Sequence, residues 1–78
     1  NGDRVLVLRT DSVDSGKIAV IAYNGDEATV KKVEYKQGED WLDLIPINPM
    51  YPIKRIQGAD LEQCHVIGQV KMLLREEI

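Results

Sequence analysis

Few side chains in this 78-residue chain could carry chemistry. Lys31 and Lys32 stand side by side in residues 28–36, ATVKKVEYK, among valines and a tyrosine. The only serines, Ser12 and Ser15, share the stretch TDSVDSG with Asp11 and Asp14. The single cysteine, Cys64, is followed by the single histidine, His65. A lysine drawn toward apolar surroundings loses solvation of its charged form, so a neutral amine becomes available as a base. A serine hydroxyl needs such a base to act as a nucleophile. A candidate base here would need something to activate, and Ser12 and Ser15 are the only serines that could serve.

A strand sends neighbouring side chains to opposite faces, so the two lysines cannot share an environment. Val30, Lys32, Glu34 and Lys36 fall on one face, which is charged. Thr29, Lys31, Val33 and Tyr35 fall on the other, which is mostly apolar. Lys31 is the candidate base and Lys32 an ordinary surface charge. Alternation leaves a second reading open, in which Lys31 lies along the sheet and carries its ammonium out to water.

The remaining groups read as structure. No histidine or oxyanion motif accompanies Ser12 and Ser15. With Asp11, Asp14 and Gly16 they fit turn chemistry, side chains hydrogen-bonding local backbone. Cys64 and His65 are two donors where a structural zinc site takes four. No calcium-loop glutamate spacing and no phosphate-binding glycine motif occurs, so no metal or cofactor is expected.

The elements that must position Lys31 are strands. Residues 4–9 form an apolar run between charges. Residues 17–23, KIAVIAY, are apolar on both alternations and are expected to be buried on both faces. Asn24-Gly25 supplies the positive φ values of a tight two-residue hairpin turn, with residues 28–36 as the return strand. Residues 41–45 make a further short strand. Three prolines among residues 46–52 then give a stiff extended connection. Residues 53–56 pair briefly at an edge, and residues 57–60 turn the chain. The segment from Cys64 reads as strand to about Leu74, with the tail left open between strand and helix.

These elements predict one all-β domain of five or six short strands, a strongly bent antiparallel sheet or partly open barrel. At this length only about 60–65% of the unfolded chain's surface becomes buried, and oligomerisation would add stability. The apolar segment 66–74 and exposed sheet edges point to self-association. A formal net charge of −3 argues against this segment gripping a phosphate backbone. No apolar run reaches the ~18–20 residues that span a bilayer, so no membrane partner is expected. One cysteine allows no internal disulfide and fits a reducing compartment. The opening Asn1-Gly2-Asp3, without an initiator methionine, reads as an interior point of a longer protein.

Taken in order, these segments resemble the C-terminal peptidase domain of the self-cleaving repressor and mutagenesis proteins typified by LexA, UmuD and the lambda-type phage repressors. Asn1-Gly2-Asp3-Arg4-Val5-Leu6-Val7 is similar to the Gly-Asp and apolar strand that follow the family's catalytic serine. Ser15-Gly16-Lys17-Ile18-Ala19-Val20 resembles its next strand, and Glu27-Ala28-Thr29-Val30-Lys31-Lys32-Val33 its lysine strand. Residues 44–53, LIPINPMYPI, resemble the Leu-x-Pro-x-Asn-x-x-Tyr/Phe-x-Pro segment, and His65-Val66-Ile67-Gly68-Gln69-Val70 the closing Ile-x-Gly-x-Val strand. The resemblance covers essentially the whole chain and rests on the ordered set.

The resemblance implies that Lys31 is the general base of a Ser–Lys dyad. The serine would lie upstream of the Gly-Asp, so the chain as given is expected to hold half a dyad and to be inert. It further implies a cytoplasmic, bacterial or phage-encoded repressor that is a homodimer, binds operator DNA through a separate N-terminal domain and is triggered in the family by RecA filaments. Two other readings stand beside it. One is a non-catalytic dimerisation or ligand-binding module of a repressor. The other is a signal-peptidase relative, which shares the fold and the Ser–Lys chemistry; the Asn48-Pro49 segment favours repressors.

Overall fold

The computed structural model describes residues 3–75. Six strands form it: β1 (Asp3–Arg9), β2 (Ile18–Tyr23), β3 (Thr29–Tyr35), β4 (Trp41–Pro46), β5 (Lys54–Gln57) and β6 (Cys64–Arg75). A short 3-10 helix, Gly58–Gln63, joins β5 to β6 where the sequence suggested only a turn. The strands make one open sheet, ordered β1-β6-β2-β3-β4-β5, and every neighbouring pair is antiparallel. The expected all-β, bent antiparallel architecture is thus present, and the sheet does not close into a barrel.

One face of this sheet carries the core. Val13, Ala19, Ile21, Val33, Leu44 and Ile56 are buried together, with Tyr23, Tyr35, Leu42, Leu61, Cys64 and Val66 packed around them. Ile21 comes from β2 and Ile56 from β5, although β3 and β4 lie between those strands. The sheet curls so that β2 and β5 line one core. At the same fold the Lys54 ammonium sits over the Tyr23 ring, 4.9 Å from its centroid, and Asn24 N–H donates to the Gln63 carbonyl at 2.8 Å. Burying a side chain such as Val33 or Ile56 contributes roughly 1.5–3 kcal/mol, so this small cluster supplies much of what holds the curl.

Three expectations need correction. β2 is buried on one face only: Ala19 and Ile21 are enclosed, while Ile18 is 37% exposed. A sheet with a single covered face cannot bury both alternations of a strand, however apolar they are. Asn24 (φ 55°) and Gly25 (φ 78°) do adopt positive φ, and Asp26 N–H donates to the Tyr23 carbonyl at 2.9 Å. They do not, however, close a two-residue hairpin. The last β2–β3 pair is Ile21 with Thr29, and beyond it Ala22 and Tyr23 pair with β6 alone.

β6, finally, is neither short nor at an edge. It runs between β1 and β2 and pairs with both, so its backbone is not free to recruit another strand. The free edges are β1 and β5. The open question of strand or helix at the tail resolves as strand to Arg75, and residues 76–78 lie outside the described residues.

Candidate active site

The register places Lys31 directly opposite Ala19 of β2 on one side and Pro46 of β4 on the other. Residues opposed in antiparallel strands share a face. Ala19 is fully buried, as is Val33 two positions along β3, so Lys31 belongs to the core face. Its side chain is half-buried there. The alanine beside it matters, because a methyl group leaves room for a long side chain to cross β2 where a leucine would fill the space. Pro46 ends β4 beyond its last pair with β5, where the missing N–H costs no bond to that strand. The connection after it is exposed, with Ile47 58%, Met50 86% and Tyr51 65% accessible. An Asx turn shapes it, Asn48 Oδ1 accepting from Met50 N–H at 3.0 Å.

Lys32 behaves as expected of the outer face. Its ammonium lies 3.6 Å from the Glu34 carboxylate, and both side chains are about half exposed at 44% and 45%. An exposed pair of this kind contributes little to stability.

The two serines do not join Lys31. Ser15 Oγ accepts a hydrogen bond from Tyr35 N–H at 2.9 Å. Tyr35 is four residues from Lys31 along β3, about 13 Å at the rise of a strand. Ser12 lies in an exposed turn in which Thr10 Oγ1 donates to the Ser12 carbonyl at 3.1 Å. The turn reading of this loop holds for Ser12. Ser15 departs from it, since its partner is twenty residues away rather than local. Asp11 and Asp14 are exposed.

Cys64 and His65, adjacent on β6, point to opposite faces, with Cys64 opposite Tyr23 and His65 opposite Ala22. Burial pushes the Cys64 thiol above its usual range, which makes it a poorer nucleophile. No group of three or more His, Cys, Asp or Glu side chains could hold a metal ion among the described residues.

Sequence reasoning missed one feature of this face. At Val33 the curled sheet borders an open groove of about 320 Å3, lined also by Val13, Tyr35, Leu42, Leu61 and Val66. Val13 is the one apolar residue of an otherwise polar loop, but its burial depends on its packing against the sheet and is not announced by that composition. Lys31 is not among the groove's walls.

A curled antiparallel sheet with a half-buried lysine on its apolar face defines a small β-domain built around one candidate amine. The chain belongs to the Peptidase S24-like family, which matches residues 1–71. Among curated relatives, the LexA repressor of Erythrobacter litoralis (strain HTCC2594) is 39% identical over 75 residues, covering 96% of this chain and 30% of that protein. The LexA repressor of Ruegeria sp. (strain TM1040) is 35% identical over 75 residues, 96% of this chain and 29% of that protein. That of Leuconostoc citreum (strain KM20) is 35% identical over 79 residues, covering all of this chain and 34% of that protein. The chain thus spans about a third of the length of the relatives it matches.

Proposed function

We propose that this chain is the C-terminal dimerisation and latent self-cleavage domain of a LexA-like transcriptional repressor, with Lys31 as its general base. The observation that carries the reading is the place of Lys31. It is half-buried on the apolar face, opposite a fully buried alanine, within the Thr29-Val30-Lys31-Lys32 stretch that resembles the family's lysine strand. Alternation and resemblance select the same residue by separate arguments.

In the proposed reaction the neutral Lys31 amine takes the proton of a serine hydroxyl supplied upstream of Asn1. The serine oxygen attacks a peptide carbonyl in the linker to the N-terminal domain. The carbon–nitrogen bond breaks, and the leaving amine receives the proton from the Lys31 ammonium. Water, deprotonated by the same amine, then hydrolyses the ester and restores the serine. Dimerisation raises the effective concentration of the second DNA-binding module at its operator half-site. Cutting the linker removes that gain and relieves repression.

The test is incubation of the full-length protein at alkaline pH, where lysine deprotonates, followed by gel analysis. The protein should cut itself into two fragments, and Lys31→Ala should stay intact. Cleavage of Lys31→Ala at the parental rate would exclude Lys31 as the base.

A further inference from the structure

The Asn24-Gly25 turn takes no part in the chemistry proposed for Lys31. Asn24 and Gly25 are the central residues of a β-turn, with φ of 55° and 78°. The turn is closed by Asp26 N–H donating to the Tyr23 carbonyl at 2.9 Å. Both central residues are exposed. Among the described residues neither the Asn24 side chain nor the Gly25 N–H has a hydrogen-bond partner. A Cβ built on Gly25 would meet nothing within 4 Å, so the space beside it is open. A free side-chain amide thus stands next to a free, unhindered backbone nitrogen. Asn48 differs on both counts. It precedes Pro49, which has no N–H, and its Oδ1 is held by Met50 N–H at 3.0 Å.

We propose that Asn24 is a site of spontaneous backbone modification, in which the Gly25 nitrogen attacks the Asn24 side-chain amide. Hydroxide removes the Gly25 N–H proton, and the nitrogen's electron pair forms a bond to Asn24 Cγ. The Cγ–Nδ2 bond breaks, and the departing nitrogen takes up a proton and leaves as ammonia. A cyclic imide remains. Water then adds to one of its two carbonyl carbons and breaks that carbon's bond to the Gly25 nitrogen. Addition at Cγ gives an ordinary aspartate. Addition at the main-chain carbon gives isoaspartate, whose backbone runs through the side chain. The net change consumes water and releases ammonia. Glycine suits the attack, since no Cβ crowds its nitrogen.

Isoaspartate adds a backbone carbon between residues 24 and 25, and a turn with two central residues has no slack to absorb it. The bond from Asp26 to Tyr23 spans that point and is lost. Asn24 N–H also donates to the Gln63 carbonyl at 2.8 Å, which fastens the turn to the last residue of the 3-10 helix. Tyr23, the preceding residue, packs against the core. Modification of one exposed residue therefore loosens the end of β2 from the helix that leads into β6.

The experiment incubates the full-length protein at mildly alkaline pH in water enriched in oxygen-18 and then digests it with trypsin. Residues 18–31 leave as one peptide between Lys17 and Lys31, separate from Asn1 and Asn48. That peptide should take up the heavy oxygen and become a substrate for an isoaspartate methyltransferase, while Asn48 stays an amide. Asn24→Gly keeps a residue suited to positive φ and removes the reacting amide, so it should show neither change. In the modified protein the amide hydrogens of residues 24 and 26 should exchange about tenfold faster than in the parent. An Asn24 amide that persists in the folded protein while the urea-unfolded chain converts would overturn the proposal, because the turn would then protect it. Conversion to aspartate with no isoaspartate would overturn the cyclic route. Isoaspartate with unchanged exchange would overturn the loosening of the turn.

Discussion

Arg55 on the edge strand β5 grips Asp43 of β4 with both branches of its guanidinium. Nε donates to Oδ1 at 2.8 Å and Nη2 to Oδ2 at 3.0 Å, across a directly opposed pair of the two strands. The same guanidinium lies over the Trp41 ring, 4.0 Å from its centroid. β5 has only four residues, so this clamp is a large share of what fastens it to the sheet. The hydrogen bond from Arg55, aided by its charge and opposed by desolvation, holds the Asp43 carboxyl below its usual value of 3.8. A carboxyl lowered by folding contributes stability that is fully present above its unfolded pKa and is lost as pH falls through its folded pKa. Asp43→Asn should therefore be less stable than the parent at neutral pH. The difference should shrink below pH 3.8 as Asp43 itself protonates. Urea unfolding at several pH values measures it, and a gap that persisted undiminished in acid would show that the charge is not what matters.

Tyr35 ties a loop to the sheet at both of its polar ends. Its hydroxyl donates to the Val13 carbonyl at 2.8 Å, and its backbone N–H donates to Ser15 Oγ at 2.9 Å. Val13, held between these bonds, is the one core residue contributed by a loop. Tyr35→Phe keeps the ring but leaves a partly buried carbonyl without its donor, a cost of about 1 kcal/mol. The expected reading is a lower urea midpoint with an unchanged slope. The self-cleavage proposed for the full-length protein should not change in rate, because Tyr35 lies about 13 Å along β3 from Lys31. A comparable loss of cleavage at full stability would place this loop in the active site.

The face that Lys31 takes was legible because its cause is local. Alternation within one strand decides which face a side chain takes, and the core followed the face that alternation chose. The Ser15–Tyr35 bond and the burial of Val13 were not legible, since both arise between segments twenty residues apart. KIAVIAY misled for a related reason. Its composition suits burial on both faces, but whether a second layer exists to cover the outer one is a property of the whole chain. Nothing in Ile-Gly-Gln-Val announces that Gln69 shares a transverse row with Lys31, and that relation emerges only when two strand registers are chained through Ala19. The Asn-Gly turn shows the converse, correct backbone geometry at a turn whose flanking strands stop pairing before it is reached.

Cys64 offers a check on the packing of Tyr23 and Val66. Burial raises its thiol, so less thiolate is present at neutral pH than in an exposed cysteine. A disulfide reagent should label the folded protein severalfold more slowly than the urea-unfolded chain at the same pH. Ile21→Ala, which opens the buried residue beside it, should close much of that difference. Equal labelling rates in the folded and unfolded protein would mean that the core face around Cys64 is open to solvent.

Gly68 leaves no room for a side chain. It pairs with Arg9 on β1 and Val20 on β2, and its backbone is buried between them. A Cβ built there would stand 2.6 Å from Val7 Cγ1 and 3.0 Å from the Leu8 carbonyl oxygen. Val7 is β-branched and cannot swing its methyl away without leaving its rotamer, and the carbonyl belongs to the β1 backbone. Gly68→Ala should therefore push β1 off β6, at a cost of about 1–3 kcal/mol. Val7→Ala removes the closer obstacle and leaves the carbonyl. Combined with Gly68→Ala it should recover part of the loss, so the two substitutions together cost less than the sum of their separate effects. A double-mutant cycle from denaturant unfolding reads the coupling. Simple additivity would show that Val7 yields freely and that the carbonyl alone excludes a side chain from this position.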